Sequence, residues 1–460
     1  MVTDTLTYAR NHRDDFLGEL IELLRIPSIS TLPEHKADVQ AAAGWLADKL
    51  AAVGLENIKI LPTPGHPVVY ADWLHAGSDA PTVIIYGHYD VQPPDPLDEW
   101  LTPPFEPTIK GDKIYGRGAA DDKGQFFAHV AAVESYLKTA GRLPVNVKFM
   151  LEGEEELGST HLEEFVQEHL ELLRADVALI SDTGILDPDT PALITSVRGL
   201  VYMEVTLRGS SRDLHSGIYG GAVENPLNAM TQLLGSLRDA AGRVTIPGFY
   251  DKVRELTPAE REAINNGRFT EANVLAETGA PALFGEAGYT LAERVGARPT
   301  LDIHGIRGGF VGQGQKTVIP AAITAKVSMR LVADQDAAEI VELFTRHVTA
   351  ICPKTMTITV ETLSAKPGAM VDMSAPAIEA AAQAYEQVFG RRPLFVREGG
   401  SIPVVGMFTH LLHAPVVMMG FGLPDDGLHS PNEKFHLPNF YRGIETSIRY
   451  FELLAGPAGN

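Results

Sequence analysis

Residues 82–90 read TVIIYGHYD. Thr82, Val83, Ile84, Ile85 and Tyr86 all favour extended backbone. An unbroken run of this kind, ended by Gly87, predicts a strand buried on both faces, as found in sheets covered by helices. An imidazole and a carboxylate, His88 and Asp90, follow at its end. The same arrangement recurs along the chain. NVKFML (146–151) runs into Glu152, Glu154, Glu155 and Glu156, and VALI (177–180) into Ser181 and Asp182. The apolar run around VVMM (416–419) is followed by Asp425, Asp426 and His429. VVYADW (68–73) adds a further strand. Apolar residues at helical spacing fall at 8–24, 37–53, 125–139, 162–173, 375–388 and 439–454. Strands alternating with helices predict an α/β fold: a central, mostly parallel sheet flanked by helices.

The pattern changes near residue 195. VYMEVTL (201–207) and ITAKVSMRLV (323–332) alternate like half-buried antiparallel strands. Helical segments are expected at 226–237 and 337–348, and another strand at 356–361, with 246–300 reading as loops and helices. Strand–helix–strand–helix–strand predicts an α+β sandwich. The domain reading is therefore 1–195, the first part of an α/β domain; 196–370, an inserted α+β domain; and 371–460, the second part of the α/β domain.

Composition narrows the function. The chain has 460 residues, 38 basic and 59 acidic, for a net charge of −21. That balance argues against nucleic acid or an anionic membrane surface as partner, because both require lysine and arginine. No apolar run approaches the roughly 18 residues of a membrane span, and the first residues carry no apolar signal segment. A cytoplasmic protein is the expectation. Cys352 is the single cysteine, so thiolate metal sites and intrachain disulfides are excluded.

In open α/β sheets, ligands bind at the carboxyl ends of the strands. Clusters of His, Asp and Glu follow four of the predicted strands. A further pair, Asp121–Asp122, lies in GRGAADDKG (116–124), just before a helix. Taken singly, each has an ordinary explanation: a strand-end histidine, a helix N-cap, a solvated charge run, a turn residue. Their shared position at one rim is not accounted for by separate explanations. Without thiolates, such a donor set suits Zn²⁺, Mn²⁺ or a related divalent ion. Asp90 is placed to orient the His88 ring.

These motifs carry a resemblance. GHYDVQP (87–93), GRGAADDKG (116–124), EGEEELGS (152–159), DLHSGIYGG (213–221), KTVIP (316–320), SMRLV (328–332), GGSIP (399–403) and HSPNEK (429–434) occur in this order. The set resembles the zinc aminoacylase/carboxypeptidase superfamily, and within it the cytosolic non-specific dipeptidases that include the carnosinases. The resemblance implies a two-metal peptidase, with Zn²⁺ first and Mn²⁺ second as the ions. Asp121 would bridge them, with His88 and Asp182 on one and Glu156 and His429 on the other. A cis peptide is implied between Asp121 and Asp122. Glu155 would be the general base that activates water held between the ions, and Asp90 would support the catalytic group. His215 is implied as an oxyanion donor, and Arg330, Thr317 and Ser401 as substrate-binding residues. The inserted domain would act as lid and dimerisation surface of a homodimer, with His215 and Thr317 reaching the partner's active site. His436 lies near these motifs but receives no role.

The implied reaction is hydrolysis of the peptide bond in dipeptides or short unblocked peptides. The alternatives are an N-acyl-amino-acid deacylase or a carboxypeptidase of the same superfamily. A non-catalytic binding protein on this fold would lack a ligand or the base, and none is missing. A nucleotide site at GRGAADDKG lacks the P-loop spacing, and its aspartates would repel phosphate.

Overall fold

The computed structural model describes residues 2–265, 270–400 and 402–456. Its contacts divide the chain into two units. The first is Met1–Thr195 with Val371–Phe395 and Val404–Asn460, and the second is Ser196–Met370 with Val396–Pro403. Sequence patterning does not single out the excursion at 396–403.

In the first unit the strands are β1 (Glu56–Leu61), β2 (Val68–Trp73), β3 (Thr82–His88), β4 (Asn146–Glu152), β5 (Val177–Ile180) and β6 (Ala192–Val197). β3 is buried from Val83 to His88, and β4 and β5 are buried throughout. A helix, α1 (Lys123–Ala140), precedes β4 and ends at Gly141 in the left-handed conformation (φ 63°).

The second unit begins with β7 (Gly199–Arg208), whose burial alternates residue by residue. It continues through α2 (Pro226–Ser236), β8 (Thr300–Arg307), β9 (Ala322–Leu331), α3 (Ala337–Ile351) and β10 (Thr357–Lys366). The strands form an antiparallel sheet in the order β8-β9-β7-β10. Val201, Met203, Val205 and Leu207 of β7 and Ile323, Val327 and Met329 of β9 pack on Met230 and Leu233 of α2 and Ile340 and Phe344 of α3. The sequence pattern predicts three strands here. β8 is the fourth, missed because TLDIHGIR buries only one of its eight residues and shows no alternation.

The chain then returns to the first unit with β11 (Val416–Met418) and a last helix, α4 (Leu437–Leu454). The sheet there runs β1-β2-β4-β3-β5-β11-β6. The four strands β4, β3, β5 and β11 are parallel, with antiparallel neighbours outside them. β3 lies between β4 and β5, so the connections leaving it and following it cross to opposite sides. The carboxyl edge at such a reversal of strand order is the usual ligand position of open α/β sheets. The register brings the strand ends level: His88 pairs with Glu152, and Tyr86 with Ile180, two residues before Asp182.

Candidate metal centre

At the carboxyl edge of β3, His88 is fully buried. Its Nε2 lies 3.0 Å from Asp121 Oδ1 and 3.8 Å from Asp182 Oδ2. The other oxygen of Asp121, Oδ2, lies 2.9 Å from His429 Nε2, which is itself 3.3 Å from Glu156 Oε2. Two donor groups result, His88–Asp121–Asp182 and Asp121–Glu156–His429, and the donor atoms of each lie within 4.8 Å of one another. Asp121 belongs to both and turns one oxygen to each imidazole. Neutral imidazoles and carboxylates so arranged match two divalent ions sharing one carboxylate. The donor set therefore fits a metal pair.

His88 and Glu156 are each held by a further group. Asp90 is fully buried. Its Oδ2 accepts from Ser30 Oγ at 2.6 Å, and its two oxygens accept the N–H groups of Glu155 and Glu156 at 3.2 and 3.1 Å. The Asp90 carbonyl also lies 3.1 Å from His88 Nδ1. One residue thus sets the ring of His88 and the turn carrying both glutamates. Gln92 Nε2 donates to Glu156 Oε2 at 2.7 Å. Gly87 makes the close approach possible: a Cβ there would lie 2.5 Å from Phe126 Cβ and 2.8 Å from Asp122 Oδ2. The Asp121–Asp122 peptide is cis.

Burial and pairing shift the titrating groups. Burial opposes charge on His88, yet its bonds to Asp121 and Asp90 hold its pKa well above the ordinary value. Burial likewise raises Asp121, but the bonds from His429 and His88 outweigh it and leave that carboxyl well below the usual range. Bonds to Asp121 and Glu156 push His429 up to about 10. Burial pushes Glu155 well above the carboxylate range; His88 opposes this, and Asp182, Glu156 and Glu152 reinforce it.

Some sequence candidates lie elsewhere. Asp425 and Asp426 bind Lys434, at 3.0 and 2.9 Å, and do not join the ligand groups. Glu154 pairs with His161 at 3.0 Å and is buried, not solvated. His436 contacts Asp112 at 3.1 Å. In the second unit, Leu214–His215 pairs with Val318–Ile319, and Ser216 N–H donates to the Thr317 carbonyl at 3.1 Å. His215 and Thr317, about a hundred residues apart, therefore share one short ribbon, and both are exposed. Arg330 is partly buried on β9, opposite Leu200 of β7 and Thr300 of β8. Ser401 lies outside the described residues.

A profile of peptidase family M20/M25/M40 matches residues 84–453. The chain belongs to this family. As an M20 peptidase it is a metalloenzyme that binds divalent ions. It is 35% identical over 460 residues to the Cys-Gly metallodipeptidase dug1 of Schizosaccharomyces pombe, with 96% of each chain covered. It is similar to the structure of human carnosine dipeptidase 1, with a TM-score of 0.83 and 32% identity over 99% of this chain and 98% of that one. It also matches an M20 metallo-carboxypeptidase, Sso-CP2 of Sulfolobus solfataricus, with a TM-score of 0.86 and 33% identity over 96% and 99%. Among the described residues, no helix is long and apolar enough to cross a membrane.

Proposed function

We propose that this M20 peptidase is a dipeptidase, hydrolysing the peptide bond of dipeptides and short unblocked peptides with two divalent ions, Zn²⁺ first and Mn²⁺ second. The observation that carries the reading is Asp121 between His88 and His429, one oxygen to each, with Asp182 and Glu156 beside them. His88 and Asp182 would hold one ion and Glu156 and His429 the other, with Asp121 shared between the two groups. Bound ions supply Lewis acidity toward the scissile carbonyl and acidify water. Glu155 takes a proton from the attacking water and delivers it to the leaving amine. Its raised pKa suits a group that must first accept and then donate. Asp90 is a positioning residue: it orients His88 through its carbonyl and fixes the glutamate turn through its carboxylate.

Recognition belongs to the second unit in this reading. Arg330 receives the substrate carboxylate in a planar fork, with Thr317 and Ser401 adding hydrogen bonds. His215 donates to the oxyanion. The chain acts as a homodimer through its inserted domain, with His215 and Thr317 serving the partner's site, and it works in the cytoplasm. The domain assignment is 1–195 and 371–460 catalytic, 196–370 lid and dimerisation.

The test is metal analysis of the purified chain, followed by turnover on Cys-Gly, β-Ala-His and other dipeptides beside longer peptides and N-acyl amino acids. Two ions per chain and a preference for dipeptides are expected. Preference for longer peptides would favour a carboxypeptidase, the second reading, which the similarity to Sso-CP2 supports. Preference for N-acyl amino acids would make it a deacylase. No turnover on any of them by the fully loaded chain would overturn the assignment.

A further inference from the structure

The loop that carries Asp121 is shaped around a carboxylate from far along the chain. Glu433 is fully buried. Its Oε2 accepts from Arg117 Nη1 at 2.8 Å and Gly118 N–H at 3.0 Å, and its Oε1 from the N–H groups of Ala120 and Asp121 at 3.0 and 3.2 Å. Backbone N–H groups of one loop converging in this way, here from Gly118, Ala120 and Asp121, form an anion cradle. Gly118 makes the shape possible with φ 83°, and a Cβ there would lie 2.6 Å from Val91 Cγ1. Arg117 is locked in turn: it donates to the Pro93 carbonyl at 3.2 Å and sits over the Trp100 ring at 5.4 Å. The segment holding Glu433 also holds His429, four residues upstream, with φ 59°.

We infer that Glu433 is a positioning residue for the metal centre: it fixes the backbone of Asp121 and ties that carboxylate to His429, so that both face one ion. A carboxylate is required because all four of its partners are donors. An amide of the same shape must turn its NH₂ against two of them. The inference rests on the reading of Asp121 and His429 as ligands.

The test is competition for Zn²⁺ between a chromogenic chelator and the full-length chain, stripped of metal and reloaded. Glu433→Gln is expected to weaken the Asp121–Glu156–His429 site about 10- to 100-fold, the range for groups that support a metal ligand. Asn432→Ala is the control on the same segment. Its side chain ties Glu99 and Leu101, at 2.9 and 2.7 Å, and touches no ligand. It should leave Zn²⁺ affinity within about threefold of wild type, well short of the loss expected when a supporting group is removed. Wild-type affinity in Glu433→Gln, or an equal loss in Asn432→Ala, would overturn the inference. If Glu433→Gln does not fold, Arg117→Met carries the test. It removes one of the four donors and should cost a smaller but measurable loss of affinity, and no loss would overturn the inference. Absence of two-ion binding by the wild-type chain would instead defeat the reading of the centre itself.

Discussion

The rim of the first unit and the His215 ribbon of the second are built on opposite principles. At the rim, His88, Asp90 and Asp122 are fully buried, and His88 and Glu156 each meet a second group that sets their direction. The ribbon is two residues per strand, and its His215 and Thr317 are exposed. The His215 ring bonds locally, its Nδ1 accepting from Gly217 N–H at 2.9 Å. Metal chemistry needs donors placed before the ion arrives, because several charged groups must share a small volume. Recognition can be completed by the molecule that is bound. In the proposed function, the rim therefore holds the ions and the proton carrier, whereas the exposed ribbon adds its oxyanion donor, His215, only where substrate or a partner subunit meets it.

If that division is right, the largest loss comes from a rim residue that does not bind metal. Glu155→Gln keeps the shape of the turn, since Asp90 holds the backbone N–H and not the side chain. It removes the proposed proton carrier. Turnover should fall by about 10²–10⁴-fold, the usual contribution of general acid–base catalysis, while both ions remain bound by elemental analysis. Glu156→Gln should lose metal as well, because Glu156 belongs to a candidate ligand group. Near-normal turnover in both variants would erase the distinction between neighbouring glutamates.

Arg330→Ala tests the other side. A desolvated charged contact to the substrate carboxylate is worth about 2–4 kcal/mol, or roughly thirty- to a thousandfold in kcat/KM. The loss should be much larger for free dipeptides than for C-terminally amidated ones, with metal content unchanged. Equal losses on both substrates would make Arg330 a packing residue of the β7–β9 pair.

Legibility in the sequence follows the same division. The rim can be read because its residues stand at the ends of β3, β4 and β5, and strand ends are visible as apolar runs followed by polar residues. Partners joined across hundreds of residues cannot be read in this way. Glu433 lies inside HSPNEK, but nothing local shows that its carboxylate fills the loop at 117–121. Gln92 reads as a loop residue until Glu156 is beside it. Asp425 and Asp426 read as part of the rim because they precede His429, yet Lys434, a few residues beyond, takes both. In the second unit, β8 escapes because both of its faces are largely exposed, so burial leaves no period of two. The pairing of His215 with the Thr317 strand is equally hidden, since two-residue strands carry no pattern.

Whether the ribbon completes a partner's site is decided by mixing inactive chains. Glu155→Ala and His215→Ala should each be nearly inactive alone. If His215 acts across a two-fold interface, a mixed dimer has one site with both residues intact. Random exchange at equal amounts makes about half the dimers mixed, so recovery should approach roughly a quarter of wild-type activity. Baseline activity in demonstrated mixed dimers would confine His215 to its own chain, and full activity of His215→Ala alone would remove it from the reaction.

The smallest effect lies at the exposed edge of the rim. His429 belongs to a candidate ligand group, yet its side chain is 56% exposed. Without ions, its bonds to Asp121 and Glu156 raise its pKa from 6.5 to about 10. A raised pKa in the folded state means that the protonated form favours folding. That contribution is complete below the unfolded value and is lost as pH rises toward the folded one. The metal-free chain should therefore lose stability, relative to metal-free His429→Gln, between about pH 6.5 and about pH 10. Water screens a half-exposed pair, so the difference in Tm should be small, ~1–2 °C. Divalent ions compete for the same nitrogen as that proton. Metal affinity should accordingly rise with pH over this window, with protons released on binding, measurable as a dependence of binding heat on the buffer. The two slopes must oppose each other. If the metal-free wild type instead gained stability with pH relative to His429→Gln, no proton would sit between His429 and Asp121, and that edge of the centre would be as loosely held as the ribbon.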